Sequence, residues 1–511
     1  MNLVELIKAF LSDIRIFSQV VVRRPLRAYQ LAPARAICES VIHRRGLTFA
    51  VVMSRQAGKN ELSAQLEAYL MNLYQQVRGS SLVKASPTYK PQTVNSKMRL
   101  RDCLDNVWNA EFVHGDEGYI VRLGRCRAIF FSAHPAANVV GATATVLLEC
   151  DEAQDVDEDK WNKEFAPMGA STNVTTVFYG TIWTSRTLLA RVMRRLEEAQ
   201  RKDGLQRVFV VPWQEVAREV PAYGVYVAKE MLRLGANHPI IRTQYELQEI
   251  DDAGRMLTPE RVALMRGAFA RERKPARGGV YVLTIDVAGE DEEEEGAELR
   301  DANPRKDSTV VSVLRVDLSG LEDPGLGAAR YELVDRHWWT GRKHADLYGA
   351  ILGLVEQWRA VYVVVDATGV GAGLTSFLQR RLGSVKASGG PSRGDATPGA
   401  VLAFEFSQVS KSDLGWAFLG LVESGRFKVF ADDGSDDVRQ WWREVEACEY
   451  EVLPGPGKVL RWGVRDPGVH DDCLVSAALV AALEGLEWRV EVAGEVIVEP
   501  DHLDRVDRGK F

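Results

Sequence analysis

Short β-rich runs recur along this chain, alternating with stretches of helical spacing, and they fall into two sets. The first set is Leu47 to Met53, Ser81 to Ala85, Ala128 to Ser132, Thr145 to Cys150 and Thr175 to Tyr179. The second is Val280 to Val287, Thr309 to Val316, Arg330 to Trp338 and Val361 to Val365. Strands alternating with helices predict an α/β fold whose sheets are parallel and covered by helices. A length of 511 residues also calls for two domains. Between the sets, the run from Arg271 to Gly279 mixes charge, Pro275 and the pair Gly278-Gly279, which reads as a linker. The expected plan is a first domain over 1–268 with a small helical subdomain near 205–260, a linker at 269–279, a second domain over 280–490 and a tail at 491–511. The N-terminal stretch before Pro25 reads as one amphipathic helix.

Composition removes several classes. With 46% hydrophobic and 26% charged residues the chain is neither disordered nor of collagen or mucin type. A net charge of −7 excludes a bulk-basic coat for nucleic acid, though not a local basic groove. The cysteines at 38, 103, 126, 150, 448 and 473 form no CxxC pair and no zinc spacing, so free buried thiols are expected. No apolar stretch reaches membrane-spanning length. The acidic run from Glu290 to Glu295 and the Gly/Ser/Pro run 388–394 read as surface loops.

The first set carries a phosphate site. The strand ending at Met53 runs into Ser54-Arg55-Gln56-Ala57-Gly58-Lys59-Asn60-Glu61, and a helix follows. Backbone N–H groups and the helix dipole favour an anion at such a turn, and Lys59 reaches terminal phosphates as a point charge. Met53 stands where the usual motif has its first glycine, and Asn60 replaces Ser/Thr; its amide oxygen still suits Mg²⁺. The apolar run Val146 to Cys150 then ends in Asp151-Glu152. Asp151 is placed to hold Mg²⁺ and Glu152 to orient or deprotonate the attacking water. The two halves together predict a P-loop ATPase that uses ATP and Mg²⁺.

The second set carries acids. Asp286 and Asp366 each close an apolar strand, and Asp471-Asp472 open the apolar helix that begins near Cys473. Singly, each is an ordinary cap or turn residue. Together they form a set of carboxylates suited to a pair of Mg²⁺ or Mn²⁺ ions that activate water against a phosphodiester.

Both sets resemble the large subunit of tailed-bacteriophage terminases, the DNA-packaging motor, over nearly the whole chain. The resemblance rests on Ser54-Arg55-Gln56-x-Gly58-Lys59 and the strand ending Asp151-Glu152-Ala153. It implies an ASCE/RecA-like ATPase domain with a helical lid, followed by a ribonuclease-H-like nuclease domain. Tyr29-Gln30 match the family's adenine-reading segment, and Tyr179-Gly180-Thr181 its coupling motif. Arg55 matches the arginine that stabilises the transition state in cis. An arginine supplied by a neighbouring subunit is unassigned among Arg101, Arg122, Arg125 and Arg127. Asp286 and Asp366 match the first two nuclease acids, Asp471 or Asp472 the third with Asp471 preferred, and Asp307 an auxiliary acid.

The same resemblance implies double-stranded DNA, a portal protein and a small terminase subunit as partners. It further implies a homo-oligomeric ring on the portal, with the isolated chain a monomer or a ring. The expected location is the host-cell cytoplasm, transiently at the procapsid portal and not in the mature virion, with no membrane involved. The competing readings are a helicase-nuclease of repair or defence, and an assembly protein with an inactive nuclease. The first would need a second motor domain, and a single phosphate loop is found.

Overall fold

Each run of the first set becomes a strand, because short, largely apolar runs buried on both faces pack in a covered parallel sheet. The computed structural model describes residues 3–139, 141–251, 253–288, 308–342, 344–385, 399–453, 455, 457–486 and 488. Its first sheet contains β1 (Thr48–Met53), β2 (Ser81–Ser86), β3 (Val113–Glu117), β4 (Ile120–Leu123), β5 (Cys126–Ser132), β6 (Leu147–Cys150), β7 (Thr175–Gly180) and β8 (Val208–Val211). The eight strands lie in the order β3-β4-β5-β2-β6-β7-β1-β8. From β5 to β8 every pairing is parallel, while the hairpin β3–β4 and its contact with β5 are antiparallel. β7 therefore sits between β1, which leads into the phosphate loop, and β6, which ends at Asp151. The helix Leu188–Asp203 places Leu188, Leu189, Val192, Met193 and Leu196 on the sheet, an i, i+3, i+4 stripe.

The second unit holds β9 (Ala253–Arg255), β10 (Val280–Asp286), β11 (Ser308–Asp317), β12 (Arg330–Thr340), β13 (Tyr362–Asp366), β14 (Ser384–Val385), β15 (Ala400–Phe404), β16 (Phe427–Val429), β17 (Cys448–Val452) and β18 (Leu460–Val464). Seven of them form a sheet in the order β14-β15-β13-β10-β11-β12-β16, and three form a small sheet β18-β17-β9. The larger sheet is not wholly parallel as expected: β10–β11 and β11–β12 pair antiparallel. The connection from β11 to β12 holds only the four-residue helix Ser319–Glu322, too short to cross a sheet face. The helix His344–Trp358 covers the sheet with Leu347, Ile351, Leu354, Val355 and Trp358. Two α/β bodies, each with its own core, agree with the expected fold class.

The boundaries differ from the expected plan. One unit comprises 1–231, 236–252 and 452–459, and the other 232–235, 253–451 and 460–511. Residues 253–268 thus belong with the second body, and the segment near 205–260 is divided between the two. The stretch 269–279 is not a free linker. Arg271 Nε donates to Asp335 Oδ1 at 2.6 Å, and the Glu272 N–H donates to the Val334 carbonyl at 2.9 Å. A guanidinium paired with a buried carboxylate fastens this stretch to β12, which its charged composition concealed. The N-terminal stretch forms two helices, Leu3–Phe10 and Ile14–Val20, rather than one, because the Asp13 carboxylate accepts the Arg15 N–H and caps the second. All six cysteines are free and buried. No helix among the described residues is long and apolar enough to cross a membrane. The runs 290–295 and 388–394 lie outside the described residues.

Candidate functional sites

The phosphate loop joins β1 to the helix Lys59–Tyr74, and it is held from outside. Gly58 adopts φ +88° at the helix start, where a Cβ would meet Gln30 Nε2 at 2.8 Å. Gln30 Nε2 donates to the Gly58 carbonyl at 2.9 Å, and its Oε1 accepts the Arg27 N–H at 2.9 Å. Tyr29 Oη donates to the Ala57 carbonyl at 2.9 Å. Tyr29 and Gln30 therefore brace the loop, and both ends of the Gln30 amide are engaged by backbone. Tyr223 Oη reaches the Arg55 carbonyl at 2.6 Å and Ser54 Oγ at 3.0 Å, and the Arg55 N–H donates to the Gln244 carbonyl at 2.8 Å. Within the loop the Arg55 and Gln56 side chains are exposed, whereas Ala57 and Lys59 are buried. Glu61 faces away from the loop, toward Gln65 Nε2 at 2.7 Å and Arg24 Nε at 3.3 Å.

Lys59 Nζ meets Glu152 Oε1 at 2.6 Å, so the loop lysine and the acid at the end of β6 share one place. Burial would raise the Glu152 carboxyl, but Lys59, with help from Gln154 and Lys458, holds it below the usual range. Burial raises Asp151, against the pull of Lys84 and Lys59. Glu152 sits at φ +46°, a left-handed conformation costly for a residue with a side chain. The Asn60 Oδ1 is buried with no partner among protein atoms, and Asp151 is a buried carboxylate whose Oδ1 accepts the Glu152 N–H at 3.0 Å. An orphaned amide oxygen and a buried carboxylate, on two segments joined by the Lys59–Glu152 pair, are donors of the kind that fit Mg²⁺.

Gln154 joins this site to the end of β7. Its Nε2 donates to Glu152 Oε2 at 2.6 Å, and its Oε1 accepts the Thr181 N–H at 3.2 Å. Gly180 lets that side chain approach closely, since a Cβ would meet Gln154 Oε1 at 2.2 Å and push it from its place. Gln244 closes the circuit, with its Nε2 on Thr181 Oγ1 at 3.3 Å and its carbonyl on the Arg55 N–H. Gln154 stood beside Asp151-Glu152 in the sequence and carried no assigned role. Tyr223, Gln244 and Lys458, which pairs with Asp155, come from distant segments with no local signal.

In the second unit, β10 and β13 run parallel with Ile285 opposite Val365, so Asp286 and Asp366 leave adjacent strands side by side. Neighbouring strands lie about 4.8 Å apart. The short helix Asp472–Ala478 is pinned beneath them: Ser476 Oγ reaches the Thr284 carbonyl at 3.0 Å, the Val310 carbonyl at 3.1 Å and Ser312 Oγ at 3.0 Å. That anchor carries Asp471 and Asp472 to the strand ends. Asp472 Oδ2 accepts the Ser308 N–H at 2.7 Å, and Asp471 Oδ2 accepts the Val464 N–H at 3.4 Å.

The Asp286 carboxyl is pushed well above its ordinary range by burial and by Asp472, Asp366 and Asp471 together. Burial also raises Asp366, against the Thr368 N–H and Lys411. Both members of the Asp471–Asp472 pair are thus near enough to raise Asp286. Lys411, on the helix Gln408–Glu423, is the cation that opposes Asp286 and Asp366, and its Nζ lies 5.3 Å from the Trp462 ring centre. Neither its position nor its spacing marked it in the sequence. Gly463, at φ +144°, leaves room for Asp471: a Cβ there would stand 2.8 Å from Asp471 Oδ2. Asp307 lies outside the described residues. Among the described residues no group of three or more His, Cys, Asp or Glu side chains is closed to ion-holding geometry. The donor set, carboxylates throughout, is nonetheless that of a hard divalent ion.

Residues 300–473 match the family of the terminase RNaseH-like domain. No curated protein matches the chain. Among solved structures it is similar to the large terminase of a thermophilic bacteriophage in complex with ADP, at 10% identity and a TM-score of 0.49, covering 89% of this chain and 98% of that one. It is similar to the large terminase of bacteriophage HK97 at 12% identity and a TM-score of 0.37, covering 94% and 100%. It is also similar to the magnesium-bound large terminase nuclease of the thermophilic phage G20c at 19% identity and a TM-score of 0.30, covering 46% and 98%. The family match includes Asp366, Asp471 and Asp472 and begins after Asp286. It agrees with the likeness to terminase large subunits drawn from the motifs: over residues 300–473 the chain is similar to the terminase RNaseH-like domain.

Proposed function

We propose that this chain is the motor and nuclease subunit of viral DNA packaging: it hydrolyses ATP to drive double-stranded DNA into a procapsid, and it cuts concatemeric DNA at a two-metal site. The reading is carried by the pairing of Lys59 with Glu152 across a phosphate loop, in a chain whose other unit gathers four aspartates. Lys59, Asn60 and Asp151 would hold the triphosphate and its Mg²⁺, which supplies charge neutralisation at the transferred phosphoryl group. A phosphate competes with Glu152 for Lys59, so nucleotide binding frees the carboxylate and, by removing the cation that lowers it, makes it a stronger base toward water. Arg55, exposed within the loop, would fold over the phosphoryl oxygens.

Gln154 is the link to movement, since it touches the base and the Thr181 amide at once. Gln154→Ala is expected to lower ATP turnover about tenfold or more, the range for losing a hydrogen bond to a charged group. It is also expected to abolish stimulation by DNA; ATP hydrolysis measured with and without linear duplex reads both effects.

In the second unit, Asp286, Asp366 and Asp471, with Asp472 beside them, would hold Mg²⁺ or Mn²⁺, which activates the attacking water and stabilises the leaving oxygen. Lys411 receives the phosphate of the cut strand. Lys411→Ala is expected to slow plasmid cutting about 100-fold with ATP turnover unchanged. DNA contact through phosphates makes binding salt-sensitive and weakly sequence-dependent. A portal ring, a small subunit and a ring of copies of this chain are the partners that follow from this reading, and the host cytoplasm is its place of action. The experiment that tests it is divalent-metal-dependent plasmid cleavage with ATP hydrolysis followed in the same preparation.

A further inference from the structure

The helix that bears the third acid is capped from outside. Asp471 is the N-cap of the helix Asp472–Ala478, and its carbonyl accepts the Val475 N–H at 2.8 Å. An aspartate at this position ordinarily turns its own carboxylate onto the amide two or three residues on. Asp471 makes no such bond, and its backbone, at φ −117° and ψ 17°, lies outside the extended region that bond requires. The amide it would have taken belongs to Leu474. That N–H donates instead to Glu444 Oε2 at 2.9 Å, a side chain from the helix Asp436–Ala447. Glu444 is 1% exposed, and its Oε1 is fixed by Gln440 Nε2 at 2.9 Å. A buried carboxylate fully bonded in this way is unlike a solvated surface acid.

We infer that Glu444 is a positioning residue for the nuclease: by satisfying the Leu474 amide it releases the Asp471 carboxylate from capping and turns it into the acid cluster. Asp471 Oδ2 then faces the Val464 N–H and the space left open at Gly463, beside Lys411. Without an acceptor at residue 444, the Leu474 amide is a buried orphan, and the N-cap carboxylate of Asp471, three residues before it, is the ordinary acceptor for an amide at that position. The helix would recover its local cap and the metal site would lose a ligand. This inference rests on the nuclease reading, and it concerns which residue holds Asp471, not whether Asp471 acts.

The test compares the full-length chain with Glu444→Gln, which keeps an acceptor at the same reach, and Glu444→Met, which removes it at similar volume. Mn²⁺ binding is measured by titration calorimetry, plasmid cutting is measured against Mn²⁺ concentration, and circular dichroism melts check folding. Loss of an outer-shell partner typically weakens metal binding about 10–100-fold. The expected result is that shift in Mn²⁺ affinity and in half-saturating Mn²⁺ for Glu444→Met, with Glu444→Gln within about twofold of wild type. Wild-type Mn²⁺ affinity in a folded Glu444→Met overturns the inference. So does a tenfold loss in Glu444→Gln, which decides the matter if Glu444→Met does not fold. A wild-type chain that neither binds Mn²⁺ nor cuts overturns the nuclease reading itself, a distinct outcome.

Discussion

Glu152→Gln is expected to lower ATP turnover about 10²–10⁴-fold, the usual contribution of a positioned general base. The substitution keeps the size of the side chain and leaves Gln154 a partner, so the loop and β6 should keep their places. Nucleotide affinity should hold or rise, because Lys59 no longer faces a carboxylate that competes with phosphate. Steady-state hydrolysis together with binding of a fluorescent nucleotide separates the two effects. A variant that binds ATP weakly and turns over what it binds at the normal rate would assign Glu152 to nucleotide binding instead. Lys59→Ala should give the complementary pattern, with affinity lost together with turnover.

Asp366→Ala is expected to reduce plasmid cutting about 10³-fold or more, as losing a ligand removes several kcal/mol of metal-derived stabilisation. Asp366 leaves β13 beside Asp286 on β10, and its carboxylate already accepts the Thr368 N–H at 2.8 Å. Its removal relieves one of the three carboxylates that press on Asp286. The folded unit should therefore be no less stable, and a thermal melt at or above that of wild type is the expected companion result. Stability gained as activity is lost is the signature of like charges gathered for a cation rather than for packing.

What could be read from the sequence follows from how far each feature depends on neighbours in the chain. β1, β6, β10 and β13 are short, largely apolar runs buried on both faces, and such runs announce themselves. Asp151, Asp286 and Asp366 were legible for the same reason: an acid directly after a buried run must sit at a strand end. The hairpin β3–β4 was not legible, because His114-Gly115-Asp116-Glu117 is polar and glycine-bearing and owes its pairing to β4, which in turn lies on the edge of β5. The antiparallel course of β11 and β12 depends on a connection too short for a crossover, a property of topology rather than of either strand. Lys411 and Glu444 lie on helices, where Lys and Glu are ordinary helix formers that carry no signal. Only the approach of those helices to Asp471 gives them a role, and no spacing rule encodes that approach. Gln30 shows the converse, since its place beside the loop was legible while its amide is occupied in bracing Gly58.

The central claim is that one chain carries two independent active sites. The most direct measurement is ATP hydrolysis and Mn²⁺-dependent plasmid cleavage, read in the same preparations of wild type, Glu152→Gln and Asp366→Ala. The account predicts that Glu152→Gln loses only ATP turnover and Asp366→Ala loses only cutting. A folded wild-type chain that hydrolyses ATP yet cuts with neither Mg²⁺ nor Mn²⁺ would contradict it, as would an Asp366→Ala chain that cuts like wild type.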